Sequence, residues 1–390
     1  MDAVRNNESS AKKHILIIGM LDSVHLYRWL EQFKDENIYF SVFASKKYRF
    51  MNKSLSDLID KRNKSRIDIV SFSFLRKFSG FLDYVMCELF QKYNFRGWRL
   101  SRLLRKNSYD YIHALEIQGA GYLLAHVDSK LLKRSKVILT NWGSDIYYFQ
   151  QFQEDAKKIR EALSRSDFYS AECERDYKLA RDFGFTGKDL PCIPNAGGFQ
   201  LDAPNTVPPP SDRRQIMVKG YGGKFGRADI PISLIPQIAA NFPNYNFFVY
   251  SVTDDVLESI NLLPSEVKKR IRISTVRERI GRVEFLQEFG KSRVYIGCSM
   301  SDGVSTSFLE AIIHGTYPIQ TMTSCAGEWV NKGYIASLVR LDRSEILNAI
   351  LGALKDDLLV NDAARVNQDL AQNDLSYSRI RDQALTFYMQ

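Results

Sequence analysis

Short apolar runs alternate along this chain with stretches whose apolar residues recur at helical spacing. His14 to Gly19 (HILIIG) reads as a buried strand, and Leu26, Trp29, Leu30 and Phe33 then fall on one helical face. Further strands are predicted at Ile38 to Ala44, Ile67 to Phe72, Tyr109 to Ala114, Lys136 to Asn141, Phe168 to Ser170 and Leu190 to Ile193. The pattern then breaks at Leu201 to Gln215, where Pro208, Pro209 and Pro210 can occupy neither a helix nor a central strand. It restarts at Ile216 to Lys219, Asn246 to Ser251, Arg272 to Thr275, Val294 to Gly297 and Tyr317 to Thr321, and from Asp342 onward reads as helices only. Such alternation predicts an α/β protein of two doubly wound, Rossmann-like domains facing a central cleft. The expected boundaries are 1–200 for the N-terminal domain, 201–215 for a proline-rich linker and 216–375 for the C-terminal domain. A last helix over 376–390 could pack back on the N-terminal domain.

Composition narrows the class. The chain has 390 residues, too many for one ordinary core, with 45% hydrophobic and 25% charged residues, the balance of a soluble globular protein. No apolar run reaches membrane-spanning length, and the start (MDAVRNNESSAKKH) lacks the apolar core of a signal peptide. Five scattered cysteines, Cys87, Cys173, Cys192, Cys298 and Cys325, include no CxxC pair. They argue for a reducing, cytoplasmic compartment and against a disulfide framework or a structural zinc site, and Cys298 and Cys325 read as small core residues.

The net charge of +9 is unevenly placed. Residues 1–106 hold 21 Lys+Arg against 11 Asp+Glu, whereas the remainder is nearly balanced. Within the basic quarter, cations interleave with aromatics: Lys47-Tyr48-Arg49-Phe50, Phe74-Leu75-Arg76-Lys77-Phe78 and Phe95-Arg96-Gly97-Trp98-Arg99. A solvated helical face over ordinary core aromatics would look like this. So would a segment that contacts an anionic membrane surface, with peripheral attachment at the inner face of the cytoplasmic membrane. Nucleic acid is not expected as a partner, because no helix-turn-helix, zinc-finger or aromatic RNA-binding signature accompanies the charge.

The segment richest in chemistry runs from Ser292 to Thr321. A buried strand hands the chain through a turn carrying Asp302 and Gly303 to a helix opening on Ser305, Thr306 and Ser307, with Glu310 one turn inside. Unpaired amides and the positive end of the helix dipole make such a junction favourable for phosphate. Two acids flanking it, Asp302 and Glu310, suit the hydroxyls of whatever carries that phosphate, which points to a nucleotide-sugar. After the first strand of the second domain comes VKGYGGKFGRADI, a glycine-rich loop with Lys219, Lys224 and Arg227. Phe225 follows Lys224 where a Walker loop needs Ser or Thr, and the glycine spacing does not fit the dinucleotide fingerprint. Alone, the loop could be a structural turn. Paired with the Asp302 to Glu310 element at the same sheet edge, it supplies cations for a leaving diphosphate.

These features together resemble a retaining glycosyltransferase of the GT-B fold, similar to glycosyltransferase family 4. The resemblance implies that Glu310 binds the ribose hydroxyls and that Asp302 lies near the transferred sugar. It implies a basic pair of Lys219 and Arg227, with Lys224 as substitute, and a donor pocket formed by Gly303, Val304, Ser305, Thr306 and Ser307. Glu328, in TSCAGEW, resembles the segment that closes over the donor. In the first half, DSVHLYRW (Asp22 to Trp29), NWGSDI (Asn141 to Ile146) and IPNAGG (Ile193 to Gly198) are similar to family segments. Asp302 is one methylene shorter than the usual Glu of that motif.

The expected partners are a nucleotide-sugar donor and a glycan or lipid-linked acceptor, in cell-surface polysaccharide or lipopolysaccharide synthesis. No cofactor or metal is expected, since no carboxylate-rich divalent site stands at a strand end and the cationic loop would replace it. Asp22, His25 and Asp145 are acceptor-side candidates. His25 reads equally as a partly buried helix residue, and Asp145 equally as a helix cap. Trp142 and Trp329 could be sugar platforms, although core packing explains both. A sugar-nucleotide epimerase of the same fold and a non-catalytic nucleotide-sugar-binding protein are the alternatives.

Overall fold

The computed structural model describes residues 13–48, 50–59, 66–70, 85–86, 88–89, 95–201 and 207–390. Much of the basic, aromatic stretch lies outside these residues, including Arg49 and Phe74 to Phe78. So do Cys87, the end of the strand predicted to reach Phe72, and 202–206 of the proline-rich linker.

The chain divides into two compact units. One contains 1–171, 176–197 and 383–390; the other contains 172–175 and 198–382. The first is built on a seven-stranded sheet of β1 (Lys13–Gly19), β2 (Ile38–Ala44), β3 (Ile67–Ile69), β4 (Tyr111–Leu115), β5 (Lys136–Thr140), β6 (Phe168–Ser170) and β7 (Lys188–Asp189). Their order is β3-β2-β1-β4-β5-β6-β7, and every pairing is parallel. β1 is fully buried from Ile15 to Ile18, which is why it reads as an unbroken apolar run rather than an alternating one. The strand predicted at Leu190 to Ile193 is corrected to the two-residue edge strand Lys188–Asp189. Pro191 and Pro194 remove amide donors that a longer strand would need.

The first unit's core contains a buried polar relay that closes around its last residues. The His113 ring lies 2.7 Å from Thr140 Oγ1 and 2.8 Å from the Tyr388 hydroxyl, which accepts a hydrogen bond from Trp29 Nε1 at 2.9 Å. Burial pushes the His113 pKa down to about 3, so the ring is neutral. Trp29 is thus a core residue with a satisfied indole N–H.

The second unit holds a six-stranded sheet of β8 (Gln215–Lys219), β9 (Asn246–Val252), β10 (Ile271–Thr275), β11 (Ser292–Gly297), β12 (Tyr317–Thr321) and β13 (Ser337–Val339). The order is β10-β9-β8-β11-β12-β13, again parallel throughout. Helices Arg343–Lys355, Asp357–Asp374 and Tyr377–Thr386 complete the chain. In both sheets the order reverses beside the first strand, between β1 and β4 and between β8 and β11. Loops leaving the carboxyl ends of such strands diverge, and ligands bind in the crevice they leave.

Candidate active site

At the second unit's reversal point, the loops after β8 and β11 are stitched together. Arg227 donates its amide to the Cys298 carbonyl (3.1 Å), and Met300 donates to Phe225 (2.7 Å). Only glycine fits at 226, because a β-carbon there would meet the Tyr221 carbonyl oxygen at 1.7 Å. This stitching brings the loop after β8 against the Asp302 turn.

Lys219, the last residue of β8, reaches into that junction. Its Nζ lies 3.5 Å from Asp302 Oδ2 and 3.5 Å from Ser305 Oγ. Burial disfavours its charge, but Asp302, with Tyr295 and Tyr221 nearby, outweighs burial and holds the pKa above the ordinary lysine value. Ser305 is the N-cap residue of helix Thr306–Ile313, yet its side chain makes no capping hydrogen bond. Phe308 donates its amide to the Ser305 carbonyl (2.9 Å), which leaves the amides of Thr306 and Ser307 as the donors at the junction. A fixed ammonium, a carboxylate and a helix N-terminus meet at one point, an arrangement suited to a diphosphate with a polar group attached.

Glu310 lies further inside the same helix and is almost completely buried. Arg282, at the start of helix Arg282–Lys291, pairs with it: Nη1 stands 2.6 Å from Glu310 Oε1. An ion pair of this kind offsets part of the cost of burying a carboxylate. Beneath the junction lie two buried phenols, Tyr250 and Tyr295, beside Ser307 and Ser305, and burial raises both pKa values. Sequence reading missed Arg282, Tyr250 and Tyr295. The phenols look like ordinary strand aromatics, and only the alternation of Tyr295 within β11 hints at its side.

The remaining predicted residues are placed as follows. Arg227 forms a two-pronged pair with Asp229, both bonds at 2.9 Å. Lys224 is exposed, with its ammonium 5.4 Å from the Phe225 ring centre. The Gly303 carbonyl accepts from the Cys325 amide (2.9 Å), and Val304 is buried. Glu328 faces other partners within the unit, since its two oxygens accept the amides of Glu174 (2.8 Å) and Arg175 (2.9 Å). Arg175, another residue missed, donates to the Asp302 carbonyl at 3.2 Å.

Cys298 and Cys325 are buried core residues as expected, but one pairing was not foreseen. Cys173 and Cys325 form a disulfide within the second unit, their Cα atoms 6.2 Å apart. At a sequence separation of 152, spacing gives no sign of the pairing. Together with Glu328 they also form a group whose potential metal-ligand atoms lie within 4.8 Å of one another.

In the first unit, Asp22 is exposed and His25 partly buried, with its ring edge-on to Trp142 at 5.2 Å. Asp145 does not cap the helix that follows it, whose N-cap is Phe152; its carboxylate braces two loops instead. Its Oδ2 accepts from the amides of Ile117 (2.8 Å) and Trp142 (3.0 Å), joining the loops after β4 and β5. Burial, reinforced by Glu116, pushes its pKa up to about 8. Glu116 itself sits at φ 137°, a backbone that side chains rarely adopt. It accepts from Gly119 (2.7 Å) and Ala120 (2.9 Å), with Lys46 3.7 Å away. The signal for it was the strand-end run Glu116-Ile117-Gln118-Gly119-Ala120-Gly121.

Comparison with known proteins fits this architecture. Residues 87–172 match the family model described as Glycosyl transferase 4-like. No curated protein matches the sequence. Among solved structures the chain is similar to Anabaena HepE, crystallised with UDP and glucose, at 14% identity over 97% of this chain and 100% of that one (TM-score 0.68). It is similar also to sucrose-phosphate synthase from Thermosynechococcus elongatus, at 15% identity over 97% and 98% (TM-score 0.67). A third is a variant of S. aureus TarM, in complex with fondaparinux, alpha-GlcNAc-glycerol and UDP, at 10% identity over 97% and 100% (TM-score 0.72). At such identities the likeness is one of fold. The chain has the two-Rossmann fold of the GT-B glycosyltransferases, with a glycosyltransferase 4-like segment in its first unit.

Proposed function

We propose that this protein is a retaining glycosyltransferase that moves a sugar from a nucleoside-diphosphate donor to a hydroxyl of a glycan or lipid-linked acceptor in cell-surface polysaccharide synthesis. The observation that carries this reading is the meeting of Lys219, Asp302 and the Ser305 helix start where the second sheet reverses. Glu310 lies on the same helix, and we assign it the hydroxyls of the attached ribose. HepE has been crystallised with UDP-glucose, a donor of this chemical class.

The acceptor oxygen bonds to the anomeric carbon while the bond from that carbon to the phosphate oxygen breaks. The acceptor's proton passes to the departing diphosphate, which leaves from the same face. Negative charge grows on the leaving oxygen, and Lys219 with the amides of Thr306 and Ser307 stabilises it. Asp302 takes a hydroxyl of the transferred sugar. Arg227, once turned from Asp229, and Lys224 add charge to the glycine loop. Gly303 and Val304 shape the turn, and Glu328 holds the neighbouring backbone. We assign the acceptor-side role to Asp22 and His25, with Asp145 fixing the loops beside them. Cations on the glycine loop make a metal unnecessary in this scheme.

The test is incubation of the purified protein with a nucleotide-sugar panel, with and without lipid-linked oligosaccharide. Free nucleoside diphosphate formed only with acceptor supports transfer. An interconverted nucleotide-sugar without transfer replaces the reading with an epimerase.

A further inference from the structure

We infer that Cys173 and Cys325 are a thiol-modification site, an oxidisable clasp that sets the order of the Asp302–Gly303 turn. The disulfide is one of several links that bind Cys173 to Arg175 to that turn and its neighbours. The Cys325 amide donates directly to the Gly303 carbonyl (2.9 Å). Arg175 donates to the carbonyls of Asp302 (3.2 Å) and Thr323 (3.5 Å). Glu328, three residues after Cys325, accepts the amides of Glu174 and Arg175. All of these residues belong to the second unit.

The side-chain chemistry favours a controllable bond over an inert one. Cys173 and Cys325 are almost fully buried, but they lie beside a partly exposed carboxylate and a turn whose Asp302 is 28% exposed. A small dithiol can reach them by local opening of this turn alone. One thiolate of the reductant attacks a cysteine sulfur and forms a mixed disulfide. Its second sulfur then closes a ring, releasing both cysteines as thiols. The reverse reaction requires a small-molecule disulfide, such as oxidised glutathione, which is reduced as the clasp forms. With the bond open, the Cys325–Gly303 and Arg175–Asp302 contacts must hold the turn by hydrogen bonds alone. The turn then samples open states more often. The consequence for donor binding rests on the proposed function; the consequence for local order does not.

Two measurements on the full-length protein separate these. In the first, one sample is denatured without reduction and alkylated, while amide hydrogen exchange is followed on separate, native samples with and without dithiothreitol. Three of the five cysteines should be alkylated before reduction and five after it. Exchange at 300–305 and 323–331 should accelerate roughly tenfold on reduction. Cys325→Ser should reproduce the reduced pattern and ignore dithiothreitol, while Cys298→Ser should behave as wild type. Five alkylated cysteines at the outset, co-purified zinc on the Cys173–Cys325–Glu328 group, or unchanged exchange on reduction would each overturn the clasp. In the second, affinity for UDP and the other common nucleoside diphosphates is measured in both redox states. A clasp that alters exchange while UDP and the other common nucleoside diphosphates all fail to bind in either state refutes the donor reading and leaves the clasp standing.

Discussion

The two units share one topology and use it for different chemistry. In both, the strand order reverses beside the first strand, and loops diverge from that point. In the first unit those loops are held by buried acids: Glu116 on a strained backbone and Asp145 joining two loops through amides. In the second, the corresponding loops carry a charged lysine, an acid within reach of it and an uncapped helix start. Placement at a sheet's reversal point therefore does not assign a role. The carboxylates at the two reversal points differ in what satisfies them. Asp145 is satisfied by its own unit's amides, whereas Asp302 faces an ammonium at 3.5 Å.

The contrast can be broken most directly at the second unit. Lys219→Ala and Glu310→Ala should each lower turnover at least about a hundredfold, the first by removing a preorganised charge-stabilising donor and the second by removing the group assigned to the ribose. Near-normal kcat/KM in both would remove the donor site. Arg227→Ala should cost less, because its guanidinium is already paired with Asp229.

The first unit should show its own signature as acid sensitivity. His113 has its folded pKa depressed to about 3 against an ordinary 6.5. Its contribution is therefore fully present above pH 6.5 and lost as pH falls below it. Each unit of acidification from there should remove up to about 1.4 kcal/mol. Denaturant titrations of the full chain between pH 7 and pH 5 would measure this, and His113→Gln should flatten the slope.

Arg282→Ala should weaken binding of the donor's nucleoside diphosphate about tenfold, which is about 1.4 kcal/mol. Arg282→Lys should restore most of the affinity, and calorimetry tests both.

A several-fold effect is expected for surface attachment, which would place the basic excess at work in the first unit. Helix Phe95–Lys106 has no acidic residue, and it exposes Trp98 with the Arg102 guanidinium 5.6 Å from its ring centre. Anionic vesicles should retain the protein at low salt and release it at high salt, with Trp98→Ala and Arg102→Ala each weakening retention. Equal retention on neutral vesicles would argue against the surface.

The smallest change is expected for Asp145→Asn. A carboxyl whose folded pKa is raised stabilises most below its unfolded value of 3.8, and that contribution is lost as pH rises toward about 8. Asn keeps the acceptor without the ionisation. Its thermal midpoint at pH 8 should equal or exceed that of the wild type; a large drop would mean the carboxylate is needed ionised.

What was legible in the sequence was local. Buried parallel strands announce themselves as apolar runs, so β1, β2, β8, β9 and β11 were found close to their observed limits. The Asp302, Ser305 and Glu310 element was legible because one strand–turn–helix carries it, and Lys219 because it ends the neighbouring strand. Glu328 was legible as a nearby acid, but its amide partners were not. β13 was missed because Ser337-Leu338-Val339 is too short to show a pattern.

The sequence by itself determined two parallel-sheet domains, their order and the residues at one sheet edge, because strand burial, helix capping and glycine turns are set by neighbours a few positions apart. Tertiary structure alone decided which charges meet. Arg282 with Glu310, Arg175 with Asp302, Cys173 with Cys325 and His113 with Tyr388 are separated by 28 to 275 positions. Chain folding, not spacing, brings such pairs together, and a buried charge or thiol takes its behaviour from the partner it finds there.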